Sequence, residues 1–378
     1  MKRLLLLGAG HAHAQVLQDW AAAPLPGVEI TLVSPLARAP YSGMVPGWLA
    51  GRYTWAEITI DFAALCARAG ARWLAAEVQT LDPSRHTLRL ADGSPLDWDL
   101  LSLNIGSTLR APALTHAQVL PLRPLSQLHD AWTGQLGPLG QQEQLAQLAL
   151  HGAGRGARPL NVTAVGGGAA GVECVLAVLA RLRRLQLGRT VQGRLISRGA
   201  ALLPGLAPGA VRQAQRALAT AGVELRLSTP FDAAAAGDGG LVLWATGAEA
   251  HDLLADPARR GDLAVSERGF VRIDLHLRSV SHPQVFAVGD CAEWAQPLPK
   301  AGVFAVRMGP VLAHNLRAAL GEGSTQAYRP QRQFLVLLDT SDGAAIASRG
   351  PFSAHGPWVA RWKETIDRRF VARFAPAA

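Results

Sequence analysis

Cysteine, lysine and long apolar runs are what this chain of 378 residues has least of. Its three cysteines, Cys66, Cys174 and Cys291, stand far apart and form no CxxC pair, metal cluster or disulfide framework. That usage suits a reducing compartment, and the expected location is the cytoplasm. No window approaches the roughly 18 apolar residues of a membrane span, which leaves a soluble or peripheral protein. Leu4–Leu7, behind Lys2 and Arg3, is too short for a signal peptide and is followed by His11 and His13. It reads as the buried first strand of a parallel sheet. Lys2, Lys300 and Lys363 are the only lysines, so the net charge of +9 is carried almost entirely by arginine. Two explanations stand: a compositional bias toward Arg, Ala, Leu and Gly, or attraction to anions such as nucleotides or acidic lipid. No basic stripe with interleaved aromatics occurs, which argues against a nucleic-acid partner. With 49% of the residues apolar and only 17% charged, the composition supports real cores and argues against disorder. The length sets an expectation of two or three domains.

Glycine is plentiful, and two clusters of it organise the reading. Gly8-Ala9-Gly10 follows the strand Leu4–Leu7, and Gly166-Gly167-Gly168-Ala169-Ala170-Gly171 follows Val162–Val165. Each stands directly after a short apolar strand and directly before a helix. Such a turn needs glycine because a Cβ would keep the backbone away from a pyrophosphate. The following helix N-terminus offers free N–H groups and about half a positive charge to the phosphates. One such turn is a weak signal; two, each opening a strand–helix alternation, imply two dinucleotides held by one chain.

The same alternation predicts strands at Arg3–Leu7 and Val28–Val33 around a helix over about 10–20. A helix at Asp61–Ala69, strands at Ala75–Leu81 and His86–Leu90, and an apolar strand Asp99–Leu103 follow, the last ending in Asn104-Ile105-Gly106-Ser107. A second unit starts near Pro121, with a helix and loose loop over 134–158, strand Asn161–Val165, and a helix from Ala169 to about Leu185. Strands Arg194–Ser197, Val223–Leu227 and Leu241–Ala245 complete it, the last running into Thr246-Gly247. Ser279–Val288 leads to Gly289-Asp290, a helix spans about Gly302–Leu320, and a tail of two strand-like runs and a basic helix closes the chain.

Five landmarks give the chain a resemblance, over nearly its whole length, to the pyridine nucleotide–disulfide oxidoreductase superfamily. They are Gly8-Ala9-Gly10-His11-Ala12-His13, Pro40-Tyr41-Ser42-Gly43-Met44-Val45-Pro46-Gly47, Gly166–Glu173, Val285–Asp290 and Pro299-Lys300-Ala301-Gly302. Within it the chain looks like the type II NADH dehydrogenase branch. It most resembles the FAD-dependent oxidoreductase module that some bacteria fuse to selenide, water dikinase. The resemblance implies an α/β fold of two Rossmann-like dinucleotide-binding domains plus a C-terminal α+β tail. The FAD domain is then discontinuous, residues 1–120 and 256–325, with the NAD(P) domain inserted at 121–255 and the tail at 326–378. It implies FAD on the first turn and NADH or NADPH, as co-substrate, on the second.

On this reading Gly8, Gly10, His11, Ser34, Val78, Gly106, Gly289, Asp290 and Ala301 line the flavin nucleotide, and Gly166, Gly168, Gly171, Ser197, Arg198 and Gly247 the nicotinamide nucleotide. His13 stands where the third fingerprint glycine permits close helix–strand packing, so a local shift is expected. His11 and His13 alternate with alanines and fall on opposite sides of a helix, and no metal site is expected. Ser34 replaces the acid usual for the ribose with a weaker hydroxyl contact. Asp290 corresponds to the aspartate that holds the ribityl chain, although Gly289-Asp290 alone is an ordinary turn. The helix from Gly302, with Lys300, is expected to stabilise negative charge on the flavin's pyrimidine edge and raise its reduction potential. A solvated surface lysine is the plain alternative. Glu173 stands where the branch keeps a glutamate near the nicotinamide to assist charge or proton movement; an acid near a helix N-terminus needs no other reason. Glu173 and Lys300 are the candidate catalytic residues. Ser197-Arg198 replaces the acid of NADH-selective enzymes and suits a 2′-phosphate, so NADPH is expected to serve at least as well as NADH.

No cysteine pair follows the first ribose site, so no thiol relay is expected. Hydride passes from nicotinamide to flavin, and electrons pass on to a separate acceptor, which in the branch is a quinone. The branch's two quinone-side glutamines are replaced by Val303 and Arg307. A soluble, selenium-related acceptor therefore stays open, and a flavin-bound sensor or partner-binding protein of low turnover is the alternative of another class. In the tail, Trp358, Trp362, Ile366, Phe370 and Phe374 recur every fourth residue as an apolar stripe, with Arg361, Lys363, Arg368, Arg369 and Arg373 around it. Such a helix suits an anionic membrane surface, here the inner face of the cell membrane. It equally suits packing on the body of the protein or on a second subunit of a homodimer.

Overall fold

The computed structural model describes residues 1–135, 159–185 and 190–375. The helix and loop expected over 134–158 thus lie outside the described residues, except for their first two positions and Pro159 beyond them. Two five-stranded parallel sheets organise the chain. In the first, Lys2–Leu7 is central, between Val28–Val33 and Leu100–Leu103, with Arg72–Leu74 and Val285–Ala287 at the edges. In the second, Leu160–Val165 is central, between Val191–Ile196 and Gly240–Trp244, with Val223–Arg226 and Ala117–Pro121 at the edges. The two sheets repeat one plan. They differ in where the last edge strand comes from: late in the chain for the first sheet, early for the second. These strands read as unbroken apolar runs because both faces are covered; Leu4 to Leu7 are all buried, and so are Val162 and Ala164.

Four helices bear on the glycine turns and the tail: α1 (His11–Ala22), α2 (Ala169–Arg184), α3 (Gly302–Ala319) and α4 (Pro357–Ala372). α1 and α3 pack closely, and Gly309 is the reason they can. A Cβ there would lie 2.5 Å from the Gln15 amide nitrogen, which donates to the Val306 carbonyl at 2.6 Å. Because Val285–Ala287 pairs with Leu101–Leu103, the first unit is assembled from two chain segments around the second. The division drawn at 120/121 passes through a strand: Ala117–Pro121 pairs in register with Gly240–Trp244, which puts Ala117 already in the second sheet. The short helices Asp252–Ala255 and Pro257–Arg260 lie against Val78–Asp82 of the first unit. The tail holds three antiparallel strands, Val336–Asp339, Ala345–Arg349 and Phe352–Gly356, one more than expected, followed by α4. Among the described residues no helix is long and apolar enough to cross a membrane.

Candidate active site

Both glycine turns sit at the carboxyl ends of the central strands, where strand order reverses and a parallel sheet opens a crevice for ligands. At the first turn the glycines answer to the protein as well as to a ligand. A Cβ on Gly8 (φ +97°) would lie 2.6 Å from the Asn104 carbonyl oxygen, and one on Gly10 2.1 Å from Asn104 Oδ1. Asn104, at the end of the neighbouring strand, accepts at Oδ1 from the backbone N–H groups of Ala12 (3.1 Å) and His13 (3.4 Å). Its Nδ2 donates to the Val288 carbonyl (3.0 Å), so one buried amide ties two strand ends to the N-terminus of α1. Asn104 therefore takes up two of the donors expected to be free. Those of Gly10 and His11 keep no partner among the described residues.

His13 is wholly buried, with Nδ1 2.7 Å from the Gly8 carbonyl and Nε2 2.9 Å from Ser102 Oγ. A carbonyl only accepts, so Nδ1 carries the proton and Nε2 accepts from the hydroxyl. Burial holds its pKa down at about 4. The position of the third glycine is thus filled by a neutral, hydrogen-bonded ring. His11 turns the other way, edge-on to Tyr41 (5.3 Å) and Phe370 (5.9 Å); burial lowers its pKa to about 4 against the pull of Asp290. Ser34 is buried at the end of Val28–Val33 and donates to the Leu36 carbonyl at 3.1 Å, keeping its lone pairs. Val78 opens the edge of a small antiparallel sheet, and Gly106 (φ +73°) borders open space.

Gly289 (φ +71°) brings Asp290 to the same place. Asp290 Oδ2 accepts from Ser107 Oγ (3.2 Å) and from the Arg123 guanidinium, which also donates to the Lys300 carbonyl (3.3 Å). Arg123 escaped the sequence reading: it follows an ordinary strand, and only the fold carries it to Asp290. Lys300 is not the solvated surface lysine of the plain alternative. Its ammonium donates to the Ala292 carbonyl (2.7 Å), stands 4.0 Å from Glu293 and lies 3.7 Å from the centre of the Phe270 ring. The charge is held inside the protein, and burial lowers its pKa. Ala301 is the N-cap of α3 without a side-chain hydrogen bond, and Gly302 lies against Ser42.

At the second turn each glycine has its own reason. A Cβ on Gly166 (φ +128°) would lie 2.2 Å from the Ala245 carbonyl oxygen, and one on Gly171 2.0 Å from that of Gly166. A Cβ on Gly168 would meet nothing within 4 Å. The first makes the tight turn, the third lets α2 pack on the strand, and the second leaves room for a ligand. Gly168 is the N-cap of α2 and no side chain caps that end. Orphan helix donors need a partner, so both this end and that of α3 fit a dinucleotide. Ser197, whose Oγ accepts from the Gly199 N–H (3.2 Å), exposed Arg198 and exposed Gly247 stand at the same carboxyl edge of the sheet.

Glu173, in the first turns of α2, accepts from the Asp339 N–H at 2.8 Å. Burial raises its pKa to about 7, against the opposing pull of Lys363. Lys363 is itself buried, donating to Asp367 (2.7 Å) and to the Gly43 carbonyl (2.6 Å). The sequence pattern places it with the basic residues around the apolar stripe of the tail helix. Burial raises the pKa of Asp367, and Tyr41 bonds to it. Arg52 pairs with Asp339. A cavity of about 220 Å³ opens beside these groups, bordered by Gly43, Arg52, Asp339, Arg361, Lys363 and Asp367 among others. All three cysteines are free and buried, and burial pushes Cys66 up to about 12 and Cys291 to about 11. Val303 and Arg307 lie inside α3, and Arg307 donates to Gln331 at 2.6 Å.

Residues 2–315 match the family described as pyridine nucleotide-disulphide oxidoreductase. The chain is 24% identical, over 341 residues, to the alternative NAD(P)H-ubiquinone oxidoreductase C1, chloroplastic/mitochondrial, of Arabidopsis thaliana. That alignment covers 80% of this chain and 64% of the plant protein, so the chain spans under two thirds of that relative. Two solved structures share the fold: NDH2 from Plasmodium falciparum in complex with NADH (TM-score 0.75, 12% identity, 99% of this chain and 97% of that one), and the sulfide:quinone oxidoreductase of Aquifex aeolicus (TM-score 0.72, 14% identity, 99% and 91%). The chain belongs to the pyridine nucleotide-disulphide oxidoreductase family, whose cofactors are FAD and NAD(P)H.

Proposed function

We propose that the chain is an FAD-dependent NAD(P)H dehydrogenase that passes electrons on to a quinone. The observation that carries this is the pair of glycine turns, each at a sheet's carboxyl edge and each leading into a helix N-terminus; at the first, Asn104 takes the Ala12 and His13 donors and those of Gly10 and His11 are left among the described residues, and at the second the N-cap is Gly168. Gly8, Gly10, His11, Ser34, Val78, Gly106, Gly289, Asp290 and Ala301 would hold FAD. Gly166, Gly168, Gly171, Ser197, Arg198 and Gly247 would hold the nicotinamide nucleotide. Bound there, the flavin supplies hydride acceptance and electron delivery. The chain's own part is to bind and orient, and to manage a proton at Glu173. With a pKa of about 7 that carboxyl is shared between its two forms at neutral pH, as suits proton exchange beside a reacting centre.

The quinone is supported by the resemblance to type II dehydrogenases and by the plant relative. One observation favours a second reading. The cavity beside Lys363 is bordered by acidic and basic side chains, Arg52, Asp339, Lys363 and Asp367, which suits a small polar acceptor better than an isoprenoid. Exposed Trp358, Trp362 and Ile366, with Phe352 nearby in the tail, support contact with a membrane surface if the acceptor is lipid-borne. Anaerobic stopped-flow reduction followed by an acceptor panel tests the proposal. We expect a yellow protein that NADPH decolourises at least as fast as NADH, and that a short-chain quinone reoxidises faster than oxygen does. Faster reoxidation by a polar soluble acceptor selects the second reading. A colourless protein that takes up no added FAD overturns both.

A further inference from the structure

The nicotinamide-side unit sends a cation, Arg123, into the flavin-side cradle of Asp290. It is rooted in the second sheet: it follows Ala117–Pro121, and the residue between, Leu122, donates its N–H to the Trp244 carbonyl. Its guanidinium nevertheless bonds three groups of the first unit: the Asp290 carboxylate, the Ser107 hydroxyl and the Lys300 carbonyl. The pair is mostly buried, with side-chain exposures of 28% for Arg123 and 18% for Asp290. The bonds from Ser107 and Arg123 both fall on Oδ2 of the aspartate. Oδ1 accepts nothing among the described residues.

We infer that Arg123 is a positioning residue for the flavin: it fixes the Asp290 carboxylate by one oxygen so that the other is presented to a hydroxyl of the flavin's sugar-alcohol chain, and it cancels the carboxylate's charge beside the flavin. The inference rests on the reading of the first turn as the FAD site. The guanidinium serves the hydroxyl and the carboxylate from one nitrogen and the Lys300 carbonyl from the other, a spread that a lysine's single nitrogen cannot reproduce. Without the cation, an unpaired carboxylate would repel the negative charge that a flavin gains on reduction. Loss of Arg123 therefore acts on two separate properties, affinity through geometry and redox potential through charge.

The test uses full-length protein freed of flavin and titrated with FAD, together with redox titration of the reconstituted protein. Arg123→Met is expected to weaken FAD binding about 10- to 100-fold, as for loss of a charge-assisted hydrogen bond, and to lower the flavin's midpoint potential. Arg123→Lys should recover most of the potential but little of the affinity. Ser107→Ala should weaken binding less and leave the potential in place, since it removes a bond and no charge. Circular dichroism melts of the flavin-free variants separate misfolding from site loss; if Arg123→Met does not fold, the Arg123→Lys and Ser107→Ala pair carries the test. Arg123→Met with wild-type affinity and potential overturns the inference, as does Arg123→Lys restoring both in full. A wild-type chain that takes up no FAD overturns the FAD assignment as well, which distinguishes the two failures.

Discussion

The His13 ring donates from Nδ1 to the Gly8 carbonyl and accepts at Nε2 from Ser102, in a site closed to water. Protonation would place a cation there with no carboxylate bonded to it, which is why its folded pKa falls to about 4 from an unfolded value near 6.5. A depressed histidine stabilises the fold above the unfolded pKa, and that stability drains away as pH falls from about 6.5 toward 4. His11, depressed to about 4 as well, adds to the same loss. His13→Ala removes a buried ring and leaves two polar partners unmet, and should cost about 2–4 kcal/mol at pH 7. The gap from wild type should narrow at pH 5, because the variant no longer carries a histidine that must stay neutral. Urea unfolding at the two pH values measures both; a cost under about 1 kcal/mol at pH 7 would show that the ring is not holding the turn. The neighbouring Asn104 illustrates what sequence can and cannot disclose. The turns around Gly8, Gly10, Gly166, Gly168 and Gly171 show in the sequence because a strand, a glycine cluster and a helix follow one another, although what crowds Gly8, Gly10 and Gly166 lies far along the chain at Asn104 and Ala245. Asn104 and Arg123 owe their roles to partners such as Val288 and Asp290, far along the chain. No spacing rule reaches that distance.

α4 shows the same limit for a periodic signal. Trp358, Trp362, Ile366, Phe370 and Phe374 repeat every four residues, but an α-helix turns about 100° per residue, so each step drifts about 40°. The four positions inside α4 therefore sweep about 120°, and Phe374 falls beyond the helix's end, so the stripe drifts from the solvent side to the packed side. Exposure follows the drift: Trp358 57%, Trp362 40%, Ile366 37%, then Phe370 6% and Phe374 3%. The face that packs on the body is instead Val359, Lys363, Asp367 and Phe370, spaced four, four and three as the true period requires. Two of these four are charged, so hydrophobicity alone pointed past them. Phe370 lies 4.6 Å from the Tyr41 ring, and Phe370→Ala should cost about 3–5 kcal/mol. Replacing Trp358 and Trp362 together by Ala should change stability by less than about 1 kcal/mol, since both rings face solvent. Equal costs in urea unfolding would mean that the tryptophan face is covered in solution.

The two sheets are each closed by their own strands, and the tail binds to them through charge as well as apolar packing. Lys363 of α4 holds Asp367 and the Gly43 carbonyl, lies close enough to Glu173 of α2 to lower its pKa, and faces Asp339 of the tail sheet, which Arg52 in turn pairs. Segments around residues 43–52, 173, 339 and 363–367 therefore share one buried charge balance. Lys363→Met deletes the cation that three carboxylates face and should destabilise the fold by about 3–5 kcal/mol at neutral pH. The pH dependence gives the sharper check. In the wild type, Glu173 and Asp367 already have raised pKa values in the folded state. Each therefore binds protons more tightly folded than unfolded, and stability falls as pH rises from the unfolded carboxylate range through the folded values. Without Lys363 those values climb further, and the fall extends to higher pH. The gap between variant and wild type should then be wide at pH 8 and narrow at pH 5, where the stranded carboxylates can take up protons. Thermal melts at the two pH values read the difference. A gap that is the same at both would mean that Lys363 works through packing of its stem, and that the tail is not held by this charge network.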